Sequence, residues 1–594
     1  MYSFGLIGNC QSSALISKEG SVDWLCFPRP DSEPVFGRLL DPDGGYFAIT
    51  LGNPHGAVRT EQYYLDNTNI LVTEIFDHGG NRIRITDFFP RFEQYGRAYR
   101  PTSLFRIVEP LSTSPAIRVE CRPVSGWNKD MVRASRGNAH LSYEIRNEVM
   151  RLSTNMPLTY LTDEMSFQLN EKIHFALTWS SSVDTDLAEV TERFFRLTNT
   201  YWRNWVKHCT LPTQFQKETI RSALALKLHC YEDTGAILAA LTTSLPETAG
   251  GVRNWDYRFC WLRDSYFVLS AFHNLGHFEE MEGFIKFLLD IAHQRKEEKQ
   301  RLAPVYTLGR ELPLPEKEHP NWKGWKNSPP VRTMNQAAEH VQNDAYGEMI
   351  LTLTPIYFDE RFLHLRDKHH EKLLVDLAVL CEDSISKADA GLWEIRDKWQ
   401  EHSFTNLMCW AGLERISRIQ KRGYLKNVPF DVDEAVKRAY DGVMKGVHEG
   451  SIRNSTTERS FDASLCLAPV YRFPDQEVCK QTVEQIRKAL VCEPSNTQQS
   501  FFYRYVRADD FGRPESAFLI CSFWIVQALS RVGRTNEAVE VLAGVLESSN
   551  HVGLFAEHYL PSTKEQLGNF PQAYSHVGMI NSAFAVSPPW SDVL

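Results

Sequence analysis

The spacing of apolar residues changes once along this chain, and that change limits the folds it can adopt. Up to about residue 180, short runs rich in Val, Ile, Thr and aromatic residues alternate with polar ones and stop at turn residues. Residues 69–76 and 82–89, joined by Gly79-Gly80-Asn81, predict a β-hairpin. From about residue 185 the apolar positions follow helical spacing. We therefore expect an antiparallel β-sandwich followed by a helical domain.

The helical half contains two kinds of helix. Residues 515–532 are apolar nearly all round, whereas residues 359–384 are amphipathic. A helix that is apolar all round must be buried on every side, so the two kinds together predict two concentric rings. The spacing places further helices at 213–230, 263–274, 278–295, 335–354, 403–420, 430–448, 461–469, 476–490, 534–547 and 571–586. We expect a β-sandwich domain over residues 1–185, a helical linker over 186–210 and a helical barrel over 211–594.

Composition and charge exclude several classes of function. The 594 residues include 65 Lys and Arg against 74 Asp and Glu, a net charge of −9, so a nucleic-acid partner is not expected. The most apolar stretch, 518–529, is too short to span a bilayer, so no membrane partner is expected. The 12 cysteines form no C-x-x-C pair and the first residues lack signal-peptide features, which predicts a cytoplasmic protein with reduced thiols. Nucleotide and metal motifs are absent, so we expect no cofactor and no metal, and the oligomeric state stays open.

One segment, 242–266, combines many charged and aromatic side chains. Guanidinium and carboxylate groups can hydrogen-bond the vicinal hydroxyls of a sugar, while aromatic faces cover the C–H faces of its ring. The same residues could instead form an internal salt-bridge network that holds a loop, and the segment alone leaves both interpretations open. The residues concerned are Arg253, Trp255, Asp256, Tyr257, Arg258, Trp261, Arg263 and Asp264.

Two glutamates occur in other long connections between predicted helices. Glu394 lies between Trp393 and Arg396, and an apolar aromatic neighbour favours the protonated carboxyl that a general acid needs. Glu557 lies in a second aromatic loop. The spacing alone also fits structural roles: Glu394 could lie in a helix first turn or pair with Arg396, and Glu557 could form an ion pair with His558 or a nearby Lys or Arg.

A series of short motifs runs in one order along nearly the whole chain. They are Ile7-Gly-Asn-Cys-Gln, Gly20-Ser-Val-Asp-Trp, Thr86-Asp-Phe-Phe-Pro, Thr243-Ser-Leu-Pro-Glu, Arg253-Asn-Trp-Asp-Tyr-Arg-Phe-Cys-Trp-Leu-Arg-Asp, Ser328-Pro-Pro-Val-Arg, Asp344-Ala-Tyr-Gly-Glu, Leu392-Trp-Glu-Ile-Arg, Cys521-Ser-Phe-Trp, Gly553-Leu-Phe-Ala-Glu and Leu567-Gly-Asn-Phe-Pro-Gln-Ala-Tyr-Ser-His. Each motif alone is weak, but the ordered set is specific. It resembles glycoside hydrolase family 15, the glucoamylase and trehalase family, in its bacterial form.

The resemblance implies an N-terminal antiparallel β super-sandwich and a catalytic (α/α)6 barrel. It implies an inverting, exo-acting enzyme without a cofactor, which releases β-glucose from the non-reducing ends of α-linked gluco-oligosaccharides. By motif position Glu394 is the general acid and Glu557 the general base. Arg263 and Asp264 match the pair that holds the terminal glucose, and Trp393 lines the same subsite. Further binding or supporting residues implied by the motifs are Arg253, Trp255, Asp256, Arg258 and Arg332.

The chain departs from the usual family pattern near the expected leaving-group side. It carries Thr333-Met-Asn-Gln and His340 where a Gly-Asn and a Gln are expected, and Phe404-Thr-Asn-Leu-Met-Cys-Trp lacks the usual Ser-Lys. The catalytic pair is unaffected. Loop 304–330, with Trp322 and Trp325, is the predicted place where the leaving group is chosen.

Four functions remain open at this point. The first is hydrolysis of malto- or isomalto-oligosaccharides, and the second is hydrolysis of α,α-trehalose, which has the same glycone and needs the same catalytic pair. A phosphorylase would replace the activated water with phosphate, and Glu557 argues against it. A sugar-binding protein without activity is the fourth. Inversion also predicts that the two carboxyl groups lie about 6.5–9.5 Å apart, with water between base and sugar.

Overall fold

The computed structural model describes residues 1–52, 58–183, 185–294, 301–492 and 499–594. Within these residues, the N-terminal half forms two large antiparallel sheets that share one apolar core. One sheet contains strands Phe4–Gly8, Ser13–Ser17, Ser21–Cys26, Pro34–Phe36, Tyr46–Leu51, Ala116–Arg122 and Phe167–Gln168. The other contains Val58–Tyr64, Leu71–Asp77, Arg82–Phe88, Ser103–Pro110, Ala134–Arg136, His140–Ile145, Glu148–Thr154 and Ile173–Trp179. The predicted β-sandwich is confirmed.

The predicted hairpin is also confirmed. Strand Leu71–Asp77 pairs antiparallel with Arg82–Phe88, with Phe76 opposite Arg82. The turn between them requires a left-handed residue, which Gly80 provides at φ 83°. Alternation of buried and more exposed side chains along Arg82–Phe88 explains why period 2 predicted a strand here.

The described residues contain thirteen α-helices, twelve of them after the sandwich. They are α1 Leu158–Thr162, α2 Leu187–Lys207, α3 Gln216–Lys227, α4 Leu262–Leu275, α5 Glu279–Gln294, α6 Asp344–Leu353, α7 Lys368–Ser384, α8 Ser403–Lys421, α9 Val432–Lys445, α10 Gln476–Ala489, α11 Leu519–Arg531, α12 Thr535–Val545 and α13 Ala573–Val586. Helix α2 follows the sandwich and begins where Asp186 accepts the Glu189 amide. Its buried Phe194 packs on Phe88 and Phe105 of the second sheet, so α2 joins the two halves. The division at 185 and 210 stays our proposal.

The helices after α2 form two rings. In the inner ring α4, α6, α8, the short 3₁₀ segment Ala463–Leu467, α11 and α13 follow one another, and α13 returns to α4. Helices α3, α5, α7, α9, α10 and α12 pack outside them. Residues 519–529 of α11 are all buried, as expected for a helix of the inner ring. Helix α9, in the outer ring, buries only one stripe of its surface. The chain is thus a β-sandwich followed by an (α/α)6 barrel.

Three predicted helices differ from the structure, each at a polar cap. The prediction of 335–354 was too long, because Asn335 accepts the Ala337 amide and ends the pattern in a 3₁₀ turn before α6. The prediction of 359–384 is split because Asp367 caps α7 at His369 and His370. Residues 461–469 form the 3₁₀ segment, capped by Asp462. Such caps offer the backbone an alternative to a continuous helix.

Short strands connect the barrel helices. They are Cys230–Tyr231, Ala236–Ile237, Cys260–Trp261, Val305–Tyr306, Lys317–Glu318, Arg332–Thr333, Val447–His448, Ser451–Ile452, Ala517–Phe518, His558–Leu560 and Glu565–Leu567. In the sandwich, Phe92–Gln94 pairs with Arg97–Tyr99, and Val124–Ser125 pairs with Asp130–Met131. All 12 cysteines are free thiols. In the part of the chain that the structure describes, no helix combines the length and apolarity needed to cross a membrane.

Candidate active site

A cavity of about 100 Å³ lies where the connections enter the inner helices. The connections that precede α4, α6, α8, α11 and α13 all contribute to its wall. Seven of the predicted site residues line it: Arg253, Trp255, Arg263, Asp264, Trp393, Glu394 and Glu557. The barrel therefore brings together segments that are up to 304 residues apart in sequence, as 557 − 253 shows.

Glu394 occupies one wall in a strained backbone conformation. Its φ is 59°, in the left-handed region that side chains other than glycine rarely adopt. Its Oε1 accepts hydrogen bonds from Trp261 Nε1 at 2.7 Å, Arg263 Nη2 at 3.1 Å and Gln342 Nε2 at 3.3 Å. Among the described residues no donor is bonded to Oε2. That oxygen can carry a proton toward the cavity.

Arg263 and Asp264 open helix α4 at the base of the cavity. The Arg263 guanidinium bonds Tyr574 Oη at 3.2 Å, in addition to Glu394 and Gln342. Burial raises the pKa of Asp264 to about 7, and the Glu394 carboxylate adds to the rise while Arg263 opposes it. A buried guanidinium beside a buried carboxyl offers donors and acceptors together, which suits a ring with several hydroxyls.

Glu557 occupies another part of the wall and is 2% exposed. Its Oε2 accepts the Asn569 amide at 3.1 Å, and its own amide donates to the Asn569 carbonyl at 3.1 Å. Gly568 has φ 72°, and a Cβ there would lie 2.6 Å from Glu557 Oε2, so this position requires glycine. The Gly568 carbonyl accepts a hydrogen bond from the hydroxyl of Tyr2, which connects the loop to the chain just before the first strand of the sandwich.

Tyr257 lies close to both Glu394 and Glu557 in the cavity wall. Burial raises the pKa of Tyr257 well above its usual value, and the carboxylates of Glu557 and then Glu394 raise it further. Both also line the cavity with Tyr257. The two carboxylates thus flank one pocket from separate loops.

Glu247 is a buried carboxylate that the sequence analysis quoted in a motif without giving it a role. It lies 3.1 Å from Arg504 and 3.9 Å from Arg253. Burial alone would raise the pKa of Glu247, but Arg504, His558 and Arg253 lower it below its usual value. Arg253 also forms a bidentate pair with Asp509, at 2.6 and 2.9 Å. Arg253 therefore holds the connection before α11 against the pocket, with its guanidinium already engaged.

Aromatic and charged groups meet at the mouth of the cavity. The Trp255 and Phe511 rings lie 5.2 Å apart at 67°, and the Arg396 guanidinium lies 4.7 Å from the Trp255 ring and 5.4 Å from the Phe511 ring. The Arg396 amide donates to Asp510 at 2.7 Å. These four residues, here called the mouth cluster, all line the cavity together with Glu394.

Three predicted residues do not line the cavity. Asp256 and Arg258 are almost fully buried and form a bidentate pair at 2.9 and 2.8 Å. Arg258 also donates to the carbonyls of Pro30 and Ser32, so it connects the barrel to the sandwich. Arg332 donates to the Val252 carbonyl at 2.8 Å and pairs with Glu316 and Glu318. We infer that these three side chains support the wall.

The prediction for loop 304–330 is wrong at its two tryptophans. Trp322 is buried and donates to the Trp127 carbonyl at 2.7 Å, in the contact with the sandwich. Trp325 packs against Tyr2, with ring centroids 5.2 Å apart. Aromatic content alone did not separate a packing residue from a sugar-binding one.

The sequence analysis missed the segment 504–511, which contributes Arg504, Asp509, Asp510 and Phe511 to the wall. Its composition of Arg, Asp and aromatic residues matches that of 242–266, and this was the available signal. Other lining residues, to which the sequence analysis gave no binding role, include His340, Phe518, Gln572 and Tyr574. His340, one of the departures from the family pattern, therefore lies at the pocket.

No cofactor or metal was expected. Among the described residues, one group has ligand atoms arranged closely enough for a metal ion: Glu247, Glu557 and His558, all buried and within 4.8 Å of one another. Two arginines already face Glu247, and positive charge next to a cation site is unfavourable.

Two family models and several trehalases of other organisms match this chain in sequence. The model for "Glycosyl hydrolases family 15" matches residues 214–584, and the model for "Trehalase-like, N-terminal" matches residues 2–174. The chain is 31% identical to a trehalase of Mycolicibacterium smegmatis, over 98% of this chain and 90% of the relative. It is 30% identical to a trehalase of Thermoplasma volcanium, over 98% and 92%.

A crystal structure of a bacterial glucoamylase complexed with acarbose is similar in fold. The TM-score is 0.66 at 13% sequence identity, over 98% of this chain and 93% of that one. At this identity the likeness concerns the fold, a β-sandwich followed by a helical barrel. Because the family model covers most of the barrel and the relatives span nearly the whole chain, the chain is a glycoside hydrolase and belongs to glycosyl hydrolases family 15.

Proposed function

We propose that this enzyme hydrolyses α,α-trehalose with inversion, with Glu394 as general acid and Glu557 as general base. The relatives that span 98% of the chain are named trehalases. The same catalytic pair could act on other α-glucosides, since the glycone is identical. The choice between substrates therefore depends on the mouth of the pocket.

The observation that carries the proposal is the pair of carboxylates on one pocket, with Arg263 and Asp264 at its base. In the proposed reaction, Glu394 gives its proton to the glycosidic oxygen as the bond to C1 breaks, and the first glucose leaves. A water attacks C1 from the opposite face and gives its proton to Glu557, so the second glucose is released as the β-anomer. Glu394 ends ionised and Glu557 protonated, and exchange with solvent restores both.

The two glutamates have surroundings suited to these different roles. Glu394 has an oxygen without a donor among the described residues, which the acid needs for its proton. Glu557 accepts an amide N–H on Oε2, and this bond orients the carboxylate for the role of base. Arg263 donates to Glu394 Oε1 and stabilises the carboxylate that forms when the proton leaves.

The mouth cluster supports a short substrate. Trp255, Arg396 and Phe511 contact one another across the space beyond Glu394. A disaccharide leaving group needs one sugar site there, and the guanidinium and Asp510 can hydrogen-bond its hydroxyls. A longer glucan would have to pass between these side chains.

The proposal is tested by incubating the purified protein with trehalose, maltose, isomaltose, panose, maltotriose, dextran and soluble starch, with product anomers followed by NMR. We expect β-glucose to appear first beside α-glucose from trehalose, with turnover lost in Glu394→Gln and Glu557→Gln. Initial release of α-glucose alone would contradict inversion. Turnover that requires phosphate would indicate a phosphorylase, and binding without turnover would indicate a sugar-binding protein.

Hydrolysis of α-1,4- or α-1,6-linked gluco-oligosaccharides is the second candidate. The similarity in fold to a bacterial glucoamylase over 98% of the chain favours keeping it. The same panel distinguishes the two candidates, because turnover of maltose or isomaltose at a rate above that of trehalose would select the second.

A further inference from the structure

His558 follows the proposed base Glu557 and lies behind it, away from the cavity. Its side chain is 1% exposed, and the Phe518 ring stacks on the imidazole with centroids 4.6 Å apart at 9°. Its Nε2 lies 3.6 Å from Glu557 Oε1 and 3.8 Å from Glu247 Oε2. No hydrogen-bond partner of Nε2 is found among the described residues, and a buried nitrogen of this kind requires an explanation.

The other ring nitrogen fixes one proton of His558. Nδ1 lies 3.0 Å from the Ser516 hydroxyl, and that hydroxyl donates to the Glu247 carbonyl at 2.9 Å. A carbonyl can only accept, so the single hydroxyl proton points to Glu247 and the oxygen accepts from His558. Nδ1 is therefore the N–H. In a neutral ring, the lone pair of Nε2 would face two carboxylates, which is unfavourable.

The charges around His558 balance when the ring is protonated and its three carboxyl neighbours are ionised. Glu247, Glu557 and Asp509 contribute three negative charges, and Arg253 and Arg504 contribute two positive ones. These groups form one connected set of contacts between 2.6 and 3.9 Å. All of their side chains are at most 12% exposed, where an uncompensated charge is costly. A proton on Nε2 makes the set neutral.

We infer that His558 is an imidazolium in the resting enzyme and that its Nε2–H holds Glu557 ionised and oriented for the attack of water. His558 does not line the cavity and does not touch the substrate, so it is a positioning residue. The inference rests on the proposed function, since it gives Glu557 the role of base. It adds that Glu247 and Ser516 act on the reaction by fixing the ring between them.

Other titratable groups near the ring leave this assignment intact. Tyr257 and Tyr2 both respond to Glu557, and burial together with that carboxylate raises the pKa of each well above its usual value, so both are neutral. On the neighbouring strand Glu565 pairs with Lys326 at 3.0 Å. The charged groups that act on His558 are thus the set already named.

Two variants separate charge from shape. Gln places an amide near the position of Nε2 and keeps a neutral donor toward Glu557, whereas Asn keeps a donor near Nδ1 for Ser516. For both His558→Gln and His558→Asn we expect kcat to fall and the acidic limb of the kcat profile to move up by about 1–3 pH units, as loss of an adjacent opposite charge requires. We expect KM to change little. His551→Gln is the matched control, since His551 bonds Gln62 and lies away from the cavity.

A direct measurement accompanies the kinetics. In protein labelled with ¹⁵N-histidine, the signal missing from His558→Gln identifies the ring, and at pH 7 we expect both nitrogens to be protonated. A ring protonated only at Nδ1 would overturn the inference. So would a lower kcat with an unmoved pH profile, which indicates a packing role. Loss of activity with a chelator, restored by Mg²⁺ or Mn²⁺, would also overturn it in favour of a cation.

The kinetics use whichever α-glucoside the wild-type enzyme hydrolyses fastest, and the NMR measurement needs no substrate. Failure to hydrolyse trehalose would therefore reject the proposed substrate and leave the inference about His558 unaffected. A neutral ring in an enzyme that hydrolyses trehalose would reject the inference and leave the proposed function standing.

Discussion

The two walls of the pocket hold their glutamates by different means. On the Glu394 wall, the side chain is 21% exposed, the backbone is strained and three side-chain donors converge on one oxygen. On the Glu557 wall, the side chain is buried, the donor is a backbone amide and the His558 ring lies behind the carboxylate. We propose that the Glu394 wall serves the acid and the Glu557 wall serves the base.

This difference indicates how one pocket can contain an acid and a base of the same residue type. Exposure and a free oxygen suit a group that must donate a proton and recover it from solvent. Burial with matched charges suits a group whose ionised form must persist until water attacks. The sequence distance between the walls lets each be built from its own loops.

Removing either carboxyl group gives the largest effect we expect. Glu394→Gln and Glu557→Gln should each lower kcat by about 10²–10⁴-fold, because each loses one proton-transfer function. Steady-state kinetics on trehalose measure this. Glu565→Gln is the matched control, since Glu565 pairs with Lys326 outside the cavity and should leave kcat unchanged. Near wild-type turnover in Glu394→Gln or Glu557→Gln would contradict the proposed role of that glutamate as acid or base.

The residues behind the wall should affect stability and leave catalysis alone. Arg258→Met leaves Asp256 buried without its partner, so we expect the free energy of unfolding to fall by about 3–5 kcal/mol. Urea unfolding measures this, with kcat of the folded variant as the second readout. Arg122→Met is the control, because the Arg122 pair with Glu164 is largely at the surface and should matter by at most about 1 kcal/mol. A lower kcat with an unchanged free energy of unfolding would indicate that Arg258 acts in catalysis and not as a support of the wall.

The mouth cluster should control the length of the substrate. Phe511→Ala removes one side of the contact with Trp255 and Arg396, so we expect KM for trehalose to rise about 10-fold, the usual size for loss of one such contact. The rate on maltotriose relative to trehalose should increase. Phe358→Ala, at a similarly exposed phenylalanine away from the cavity, is the control. An unchanged ratio of the maltotriose rate to the trehalose rate would indicate that the leaving group does not bind at the mouth cluster.

The last prediction concerns how the free energy of unfolding depends on pH. Burial raises the pKa of Asp389 to about 8, and the nearby Asp344 carboxylate adds to the rise. The folded state then binds a proton that the unfolded state releases near pH 4, so stability decreases as pH rises from about 4 to about 8. Asp389→Asn should flatten that decrease, measured as urea midpoints between pH 5 and 8. The Asp376 carboxylate pairs with Lys372 at 3.0 Å, so Asp376→Asn should leave the slope unchanged, and an equal slope in the wild type and Asp389→Asn would contradict the shift.

Local patterns predicted the fold well because burial repeats at short range. The hairpin at 71–88 follows from its β-branched runs and its Gly-Gly-Asn turn, and α11 follows from a long, uniformly apolar run. The motifs supplied Glu394 and Glu557, and both line the pocket. The partner of Arg253 could not be predicted, because Asp509 is 256 positions away. Trp322 looked like a sugar-binding residue since composition does not tell which domain a ring faces.

The contact between Tyr2, just before the first strand, and the Glu557 loop can form only late in the synthesis of the chain. Tyr2 donates its hydroxyl to Gly568 and its amide to Gln566, across 566 and 564 positions. Closing so long a loop is among the last events of folding, since both partners must first be made. A ribosome-bound chain can complete its sandwich and most of its barrel while the base loop has no anchor. Sugar cleavage would then begin only after the two distant segments have met.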